Sequence, residues 1–370
     1  MVAPVPPTAP CDEASGMSFV CGAERPEDLA RIPGTQWLVA SGFANGSGIK
    51  LVDIEAHTLR RWYTGEPAQI AQDAARYPDC AAPPDAALMN AQGMSLRTVG
   101  EHSHLLYVAN HGGREAIEIF RIGDAHVADG RVEQGRVADG AVEEGRVSEV
   151  ATRDEPSLHW IGCVPMPDGM AANSVATFAD GTILATVLNR PGTQIADYVQ
   201  GRITGLVYEW KPGTHALQHV RGGDLPGNNG LETSPDGNEF YVVAFGWRAV
   251  VAFSHTNPTR ILRKAFAPGF MPDNIHWDGE RLITAGMQYD EPACGGLRKI
   301  IEGVADPMLC HRGYTVAHLD QKSMTWSIVA YAEPNPSFNG ASTGLIVGQQ
   351  LWLGSFQADR IAIRTLPGAH

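Results

Sequence analysis

The sequence lacks any apolar run near the roughly 20 residues that a membrane-spanning helix needs, so no membrane span is expected. Basic residues are in deficit: 28 Lys and Arg against 41 Asp and Glu give a net charge of −13. Nucleic acids and anionic membranes demand clustered Lys and Arg, so neither is an expected partner. Six cysteines form no Cys-x-x-Cys pair, which excludes a zinc ribbon.

A basic segment followed by an apolar stretch is also missing from the start of the chain. The localisation therefore stays open between a cytoplasmic protein, if Met1 is the native start, and a periplasmic or secreted protein whose signal was removed. The prolines of this start predict an extended N-terminal tail over residues 1–20. Residues 21–370 are expected to form a single domain, because no linker interrupts them.

Glycine and proline are plentiful, with 41 and 25 residues spread along the whole chain. This distribution is typical of an all-β fold of many short strands joined by tight turns. Six segments join two short apolar runs through a polar turn, the pattern of a β-hairpin. They are residues 29–42, 95–111, 176–187, 232–245, 276–286 and 346–356. A third apolar strand follows each hairpin, at residues 48–55, 116–123, 204–213, 249–255, 313–320 and 360–366.

Six repeats of three or more strands predict a six-bladed β-propeller. A β-sandwich, which also shows strands and turns at regular spacing, is the alternative. Two segments depart from the repeat. Residues 125–149 have a five-residue period and predict an inserted outer hairpin or loop, whereas residues 288–312 form a Gly-rich insertion.

The cysteines leave several pairings open. Cys294 and Cys310 bracket the 288–312 insertion and could bridge it in an oxidising compartment. Cys11 or Cys21 could tether the N-terminus to Cys80. Free buried thiols are the alternative to both.

Oxygen-bearing side chains recur just ahead of the predicted hairpins, where the innermost strands of a propeller converge on its axis. Calcium takes six to eight oxygen ligands from Asp, Glu and Asn, and zinc prefers His or Cys. The pattern therefore predicts one catalytic Ca²⁺ near the axis. Its candidate ligands are Glu27, Asn173, Asn229, Asp273 and Asn274.

Several phrases, in this order, resemble the calcium-dependent propeller hydrolases of the serum paraoxonase and gluconolactonase (senescence marker protein) superfamily. They are Pro26-Glu-Asp-Leu29, Asn90-Ala-Gln-Gly-Met-Ser95, Tyr107-Val-Ala-Asn-His111, Asn173-Ser-Val-Ala, Asn229-Gly-Leu-Glu-Thr-Ser-Pro-Asp-Gly237 and Asp273-Asn-Ile275. The resemblance implies the same five calcium ligands, and it implies that His111 helps to activate water near the metal.

Two departures from the family pattern stand out. Gln92 replaces the second histidine of the paraoxonase pair and cannot take up a proton at neutral pH. Ser174 replaces the aspartate that helps to bind a second, structural calcium, so that second ion is not expected, although Asp28 remains.

These residues predict an enzyme, a calcium-dependent hydrolase that opens a small-molecule lactone or cleaves an ester. Calcium would polarise the carbonyl, and His111 or a metal-bound carboxylate such as Asp273 would activate water. Gln92 and Ser342 would orient substrate or water. Further candidate substrate contacts are Asn189 and Met287. The alternatives are another metal-dependent propeller enzyme, phosphotriesterase-like or strictosidine-synthase-like, and a ligand-binding propeller without catalysis.

Overall fold

The computed structural model describes residues 9–12, 14, 16–123 and 155–367. In these residues, short apolar strands separated by tight turns pair into six four-stranded antiparallel sheets. Each sheet contains one predicted hairpin and the predicted third strand, and adds a fourth strand at its outer edge. The six-bladed β-propeller is therefore confirmed. The hairpin or loop expected at residues 125–149 lies outside the described residues.

Each blade is listed from its inner to its outer strand. Blade one is β2 (Leu29–Arg31), β3 (Trp37–Ser41), β4 (Ile49–Asp53) and β5 (Thr58–Arg61); blade two is β6 (Ala91–Gly100), β7 (Ser103–Asn110), β8 (Ala116–Gly123) and β9 (Ser157–Pro165). Blade three is β10 (Val175–Thr177), β11 (Ile183–Val187), β12 (Leu206–Trp210) and β13 (Gln218–His219); blade four is β14 (Asn228–Thr233), β15 (Glu239–Ala244), β16 (Ala249–Ser254) and β17 (Ile261–Phe266). Blade five is β18 (Phe270–Asp278), β19 (Arg281–Gln288), β24 (Tyr314–Asp320) and β25 (Thr325–Ala332); blade six is β26 (Ala341–Val347), β27 (Gln350–Ser355), β28 (Arg360–Thr365) and β1 (Ser18–Cys21).

The two ends of the chain meet in blade six. Its outer strand, β1, pairs antiparallel with β28, so that Ser18 lies opposite Ile363 and Cys21 opposite Arg360. The expected tail boundary at residue 20 is corrected, because residues 18–20 belong to this strand. Closing the ring with both chain ends pairs a strand edge that would otherwise be open.

Burial follows the position of a strand within its blade. The middle strands β3 and β11 are buried on both faces, because each blade packs between two neighbours. The outer strands β5 and β17 are mostly exposed. The inner strands contact one another in a closed ring, β2, β6, β10, β14, β18 and β26, which defines the propeller axis.

Irregular and helical segments are few. The 288–312 insertion forms two small hairpins, β20 (Asp290–Glu291) with β21 (Gly296–Leu297), and β22 (Ile300–Ile301) with β23 (Val304–Ala305). One short helix, α1, spans Ile195–Val199, and 3-10 turns span Pro67–Gln69, Phe245–Trp247 and Pro292–Cys294. Among the described residues, no helix has the length and apolar character needed to cross a bilayer.

All six cysteines form disulfides: Cys11–Cys21, Cys80–Cys163 and Cys294–Cys310. The bridge across the insertion is the one expected from the sequence. The expected tether of Cys11 or Cys21 to Cys80 is wrong. The segment that carries Cys80 packs along β9 of blade two, where Ala71 N donates to Trp160 O at 2.9 Å, whereas Cys21 ends a strand of blade six.

Candidate active site

Half of the candidate site residues lie where an inner strand is irregular. The antiparallel register shifts between Ala91 and Met94 of β6, Asn228 and Leu231 of β14, Pro272 and Ile275 of β18, and Ala341 and Thr343 of β26. Such bulges redirect side chains away from the regular alternation. Four of the six blades therefore present a polar residue from the same distorted position. These residues are Gln92, Asn229, Asp273, Asn274 and Ser342.

Glycines let these bulged strands approach their neighbours closely. A Cβ atom at Gly93 would lie 2.7 Å from the carbonyl oxygen of Asn173, and one at Gly230 would lie 2.3 Å from that of Asp273. Both distances are too short for any side chain. The residue after Gln92 and the residue after Asn229 must therefore be glycine for blades two, three, four and five to meet at the axis.

Polar contacts bring Glu27, Asp273, Asn274 and Asn229 together. The side-chain nitrogen of Asn274 donates to the Glu27 carbonyl oxygen at 3.1 Å. The Asn274 side chain also lies close enough to the Glu27 carboxylate to oppose the rise in its pKa, and the Asn229 side chain does the same for Asp273. Residues far apart in the sequence thus come together from blades one, four and five.

Asn173 is tied to the same group through Thr186 of β11. The backbone amide of Asn173 donates to the backbone carbonyl oxygen of Thr186 at 2.7 Å. The Thr186 hydroxyl donates to the backbone carbonyl oxygen of Asn229, also at 2.7 Å. The five predicted ligands therefore form one connected group at the axis.

Four of these residues carry a buried oxygen without a hydrogen-bond partner. The atoms are Glu27 Oε2, Asn173 Oδ1, Asn229 Oδ1 and Asn274 Oδ1. Leaving a buried acceptor unpaired costs about 1–3 kcal/mol, so a group of four is unusual and needs an explanation. These four oxygens are therefore candidates to bind a cation.

The electrostatics of the two acids point the same way. Burial, and then the negative charges of Asp273 and Asp28, raise the pKa of Glu27 well above its usual value. Burial and the charge of Asp28 likewise raise the pKa of Asp273 to about 7, against the opposing hydrogen bond from Asn229. Ionised carboxylates in this group repel one another unless a cation lies among them.

The donor set fits calcium better than a transition metal. In the described ranges no three His, Cys, Asp or Glu side chains converge as a metal-binding group. The site depends instead on three carboxamide oxygens and two carboxylates, the hard oxygen ligands that Ca²⁺ prefers.

Comparisons with known proteins add little to this description. No protein-family model matches the chain, and no curated protein matches it. Among solved structures the chain is similar to a luciferin-regenerating enzyme, with a TM-score of 0.49 and 11% sequence identity over 94% of this chain and 93% of that chain. The six-bladed fold rests on the strand pairing, and we draw no activity from this similarity.

His111 lies beside Gln92 but has no free ring nitrogen. Its Nε2 faces Gln92 Oε1 at 2.7 Å and its Nδ1 faces Glu115 Oε2 at 2.8 Å. Phe43 packs edge-on against the ring, with centroids 6.0 Å apart. The side chain of Gln92 in turn lies close enough to the carboxylate of Glu27 to oppose the rise in its pKa. His111 and Gln92 are therefore neighbours of the ligand group.

The three predicted substrate contacts have different surroundings. Ser342 is fully buried, and its hydroxyl donates to the Glu27 carbonyl oxygen at 2.6 Å, so it supports the ligand residue and its proton is not available to a substrate. Asn189 carries a buried, unpaired side-chain oxygen. Met287 packs in an apolar cluster with Tyr198, Phe245, Met271 and Met308.

A second polar cluster, which we did not predict, lies next to the ligand group. Asp28 is completely buried and accepts hydrogen bonds from the amides of Leu29 and Met94 and from His276 Nε2, the last at 2.7 Å. The other ring nitrogen of His276 lies 3.9 Å from Glu232 Oε2. Period-two alternation along β18 places His276 on the same face as Asn274, and this signal could have identified it.

The charges of this cluster are interdependent. Burial by itself would lower the pKa of His276, but the carboxylates of Asp28 and Glu232 outweigh it and raise that pKa to about 9. Burial raises the pKa of Glu232 to about 7, although the charge of His276 opposes the rise. Because the two His276 nitrogens face different carboxylates, the three side chains do not point at a common metal position.

Proposed function

We propose that the chain is a calcium-dependent hydrolase that opens a lactone or cleaves an ester at the propeller axis. One observation supports the proposal: three asparagine side chains and the acids Glu27 and Asp273 lie together, and four of these five side chains have a buried oxygen without a hydrogen-bond partner. Glu27, Asn173, Asn229, Asp273 and Asn274 would bind the ion. Calcium, when bound, supplies a Lewis acid that polarises a carbonyl and stabilises the charge developing on its oxygen.

Asp273 is the better candidate for the residue that takes a proton from the attacking water. Each ring nitrogen of His111 already faces a side-chain oxygen within 2.8 Å, so neither nitrogen is open to an attacking water. Burial and the charge of Asp28 raise the pKa of the Asp273 carboxyl to about 7 in the ion-free protein. A nearby cation lowers that pKa and keeps Asp273 ionised as a proton acceptor, so the acidic limb of the activity profile should lie below pH 7.

The test is a panel of aliphatic and aromatic lactones and aryl esters, assayed with calcium and with a chelator. We expect turnover only with calcium, and loss of both calcium binding and turnover in Asn229→Ala. Asn238→Ala is the control, because the Asn238 side chain is exposed and bonds to Asp236 of the same turn. Full turnover in the chelator would refute the metal role.

Product analysis separates hydrolysis from the other reactions of related propellers. Hydrolysis in ¹⁸O-water must place one solvent oxygen in the carboxylic acid product. Calcium binding without turnover of any substrate would favour a ligand-binding propeller in which calcium stabilises the blades.

A further inference from the structure

A row of polar side chains runs from the protein surface to the candidate calcium ligands. It starts at Glu115, whose side chain is 38% exposed and whose Oε2 lies 2.8 Å from His111 Nδ1. His111 Nε2 lies 2.7 Å from Gln92 Oε1. The Gln92 side chain is in turn close enough to the buried carboxylate of Glu27 to oppose the rise in its pKa.

The first link fixes the orientation of the imidazole ring. The two nitrogens of a histidine point in fixed directions, so a carboxylate that binds one nitrogen determines where the other points. The loop that carries both residues is itself braced: the Asn110 side chain bonds to the backbone of Gly112, and the Glu115 carbonyl oxygen accepts from the Met166 amide at 3.0 Å.

The second link fixes the amide of Gln92. Because Gln92 Oε1 faces His111, the amide nitrogen is the end left to bond with the Glu27 carboxylate. This bond engages one part of the carboxylate, while Glu27 Oε2 stays buried and unpaired. That oxygen is the one available to a cation.

We propose that Glu115 is a positioning residue of the candidate calcium site, acting through His111 and Gln92 on Glu27. This inference rests on the proposed function, since it concerns the same ion. Without the Glu115 carboxylate the His111 ring loses the acceptor that orients it, the Gln92 amide loses its fixed direction, and Glu27 is less well placed to bind. Replacing groups that orient metal ligands typically weakens metal binding about 10–100-fold, and we expect a smaller effect, roughly 3–10-fold, at this distance.

The experiment measures Tb³⁺ affinity of the full chain by luminescence, with Ca²⁺ competition, so no substrate is needed. We expect Glu115→Gln to weaken binding roughly 3–10-fold relative to the wild type. Asp224→Asn is the matched control, because Asp224 forms the same kind of contact with His219, at 2.7 Å, on the surface of blade three. The control should change the affinity less than twofold while shifting the thermal midpoint as much as Glu115→Gln does.

A double-mutant cycle tests whether the effect passes through the histidine. If it does, Glu115→Gln costs nothing further in a His111→Gln background. Glu115→Gln should fold, because the Glu115 side chain is partly exposed. An unchanged Tb³⁺ affinity of this variant in the wild-type background overturns the inference. An equal loss in both backgrounds also overturns it, because Glu115 would then act on the ion directly. A wild-type chain that binds neither Tb³⁺ nor Ca²⁺ would instead refute the proposed metal site itself.

Discussion

Replacing Asp273 with asparagine should stabilise the calcium-free protein while it abolishes calcium binding and turnover. The pKa of Asp273 rises from 3.8 to about 7 on folding, which corresponds to about 4 kcal/mol of unfavourable free energy for the ionised carboxylate above pH 7. This figure already includes the opposing effect of Asn229, and asparagine removes the charge, so we expect a gain of up to about 4 kcal/mol at pH 8.

The pH dependence distinguishes this explanation from a general packing effect. An acid whose pKa is raised by folding binds its proton more tightly in the folded state, so the calcium-free wild type loses stability as pH rises from about 4 to 7. At pH 5 Asp273 is mostly protonated in the folded state but mostly ionised in the unfolded state, so the advantage of asparagine should fall to about 2 kcal/mol, and it should vanish below about pH 4.

The assay is urea unfolding in a chelator at pH 5 and pH 8, for the wild type, Asp273→Asn and the exposed control Asp168→Asn. Calcium at pH 8 should stabilise the wild type and the control but not Asp273→Asn, because only a folded state with the site gains from the ion. If Asp273→Asn is destabilised at pH 8 as much as at pH 5, repulsion among buried acids is not a feature of this site, and the argument for a cation loses its electrostatic support.

Three further predictions follow from the same structure. Gly230→Ala should weaken calcium binding by roughly tenfold or more, because its Cβ would lie 2.3 Å from the Asp273 carbonyl oxygen. The control Gly237→Ala should leave binding unchanged, since its Cβ would have no atom within 4 Å. Equal Tb³⁺ affinities of the two variants would contradict this prediction. His276→Gln should lower the free energy of unfolding by up to about 3 kcal/mol below pH 6.5, because the His276 pKa of about 9 exceeds its unfolded value. The difference between variant and wild type should vanish as pH rises through 9. A loss of stability that does not depend on pH would contradict the ion pair. Replacing both Cys80 and Cys163 with serine should lower the free energy of unfolding by roughly 2–4 kcal/mol, because their bridge spans 83 residues, and a reductant should then have less effect on the variant than on the wild type.

The sequence predicted three strands of every blade because their apolar runs and turns are local features. It missed outer strands such as Thr58–Arg61 and Gln218–His219 because these two are mostly exposed and carry few apolar residues. The strand Ser18–Cys21 was missed for another reason: its partner lies more than 300 residues away, and no local pattern encodes that pairing.

The candidate ligands could be chosen from the sequence because each lies just ahead of a predicted hairpin, a position that the strand pattern identifies. Their contacts could not be predicted, because these depend on where the register shifts. Period-two alternation would send Asp273 and Asn274 to opposite faces of β18, yet both bond within the ligand group because the strand bulges between Pro272 and Ile275. Glu115 was missed because it lies in a loop, where no periodicity indicates direction.

The position of the bulges also explains why the axis can be polar at all. A regular inner strand would turn every second side chain into the packed space between blades, where unpaired carboxylates and amides are costly. At the bulge, two residues oppose one on the neighbouring strand, so an extra side chain points along the axis without disturbing the alternation on either side. Blades two, four, five and six all bulge at their candidate residue, so four polar side chains reach one region while the apolar faces between the blades stay intact. The stability of the fold and the polarity of the candidate site therefore depend on different residues of the same strands, and a substitution such as Asn229→Ala can remove the function without unfolding the protein.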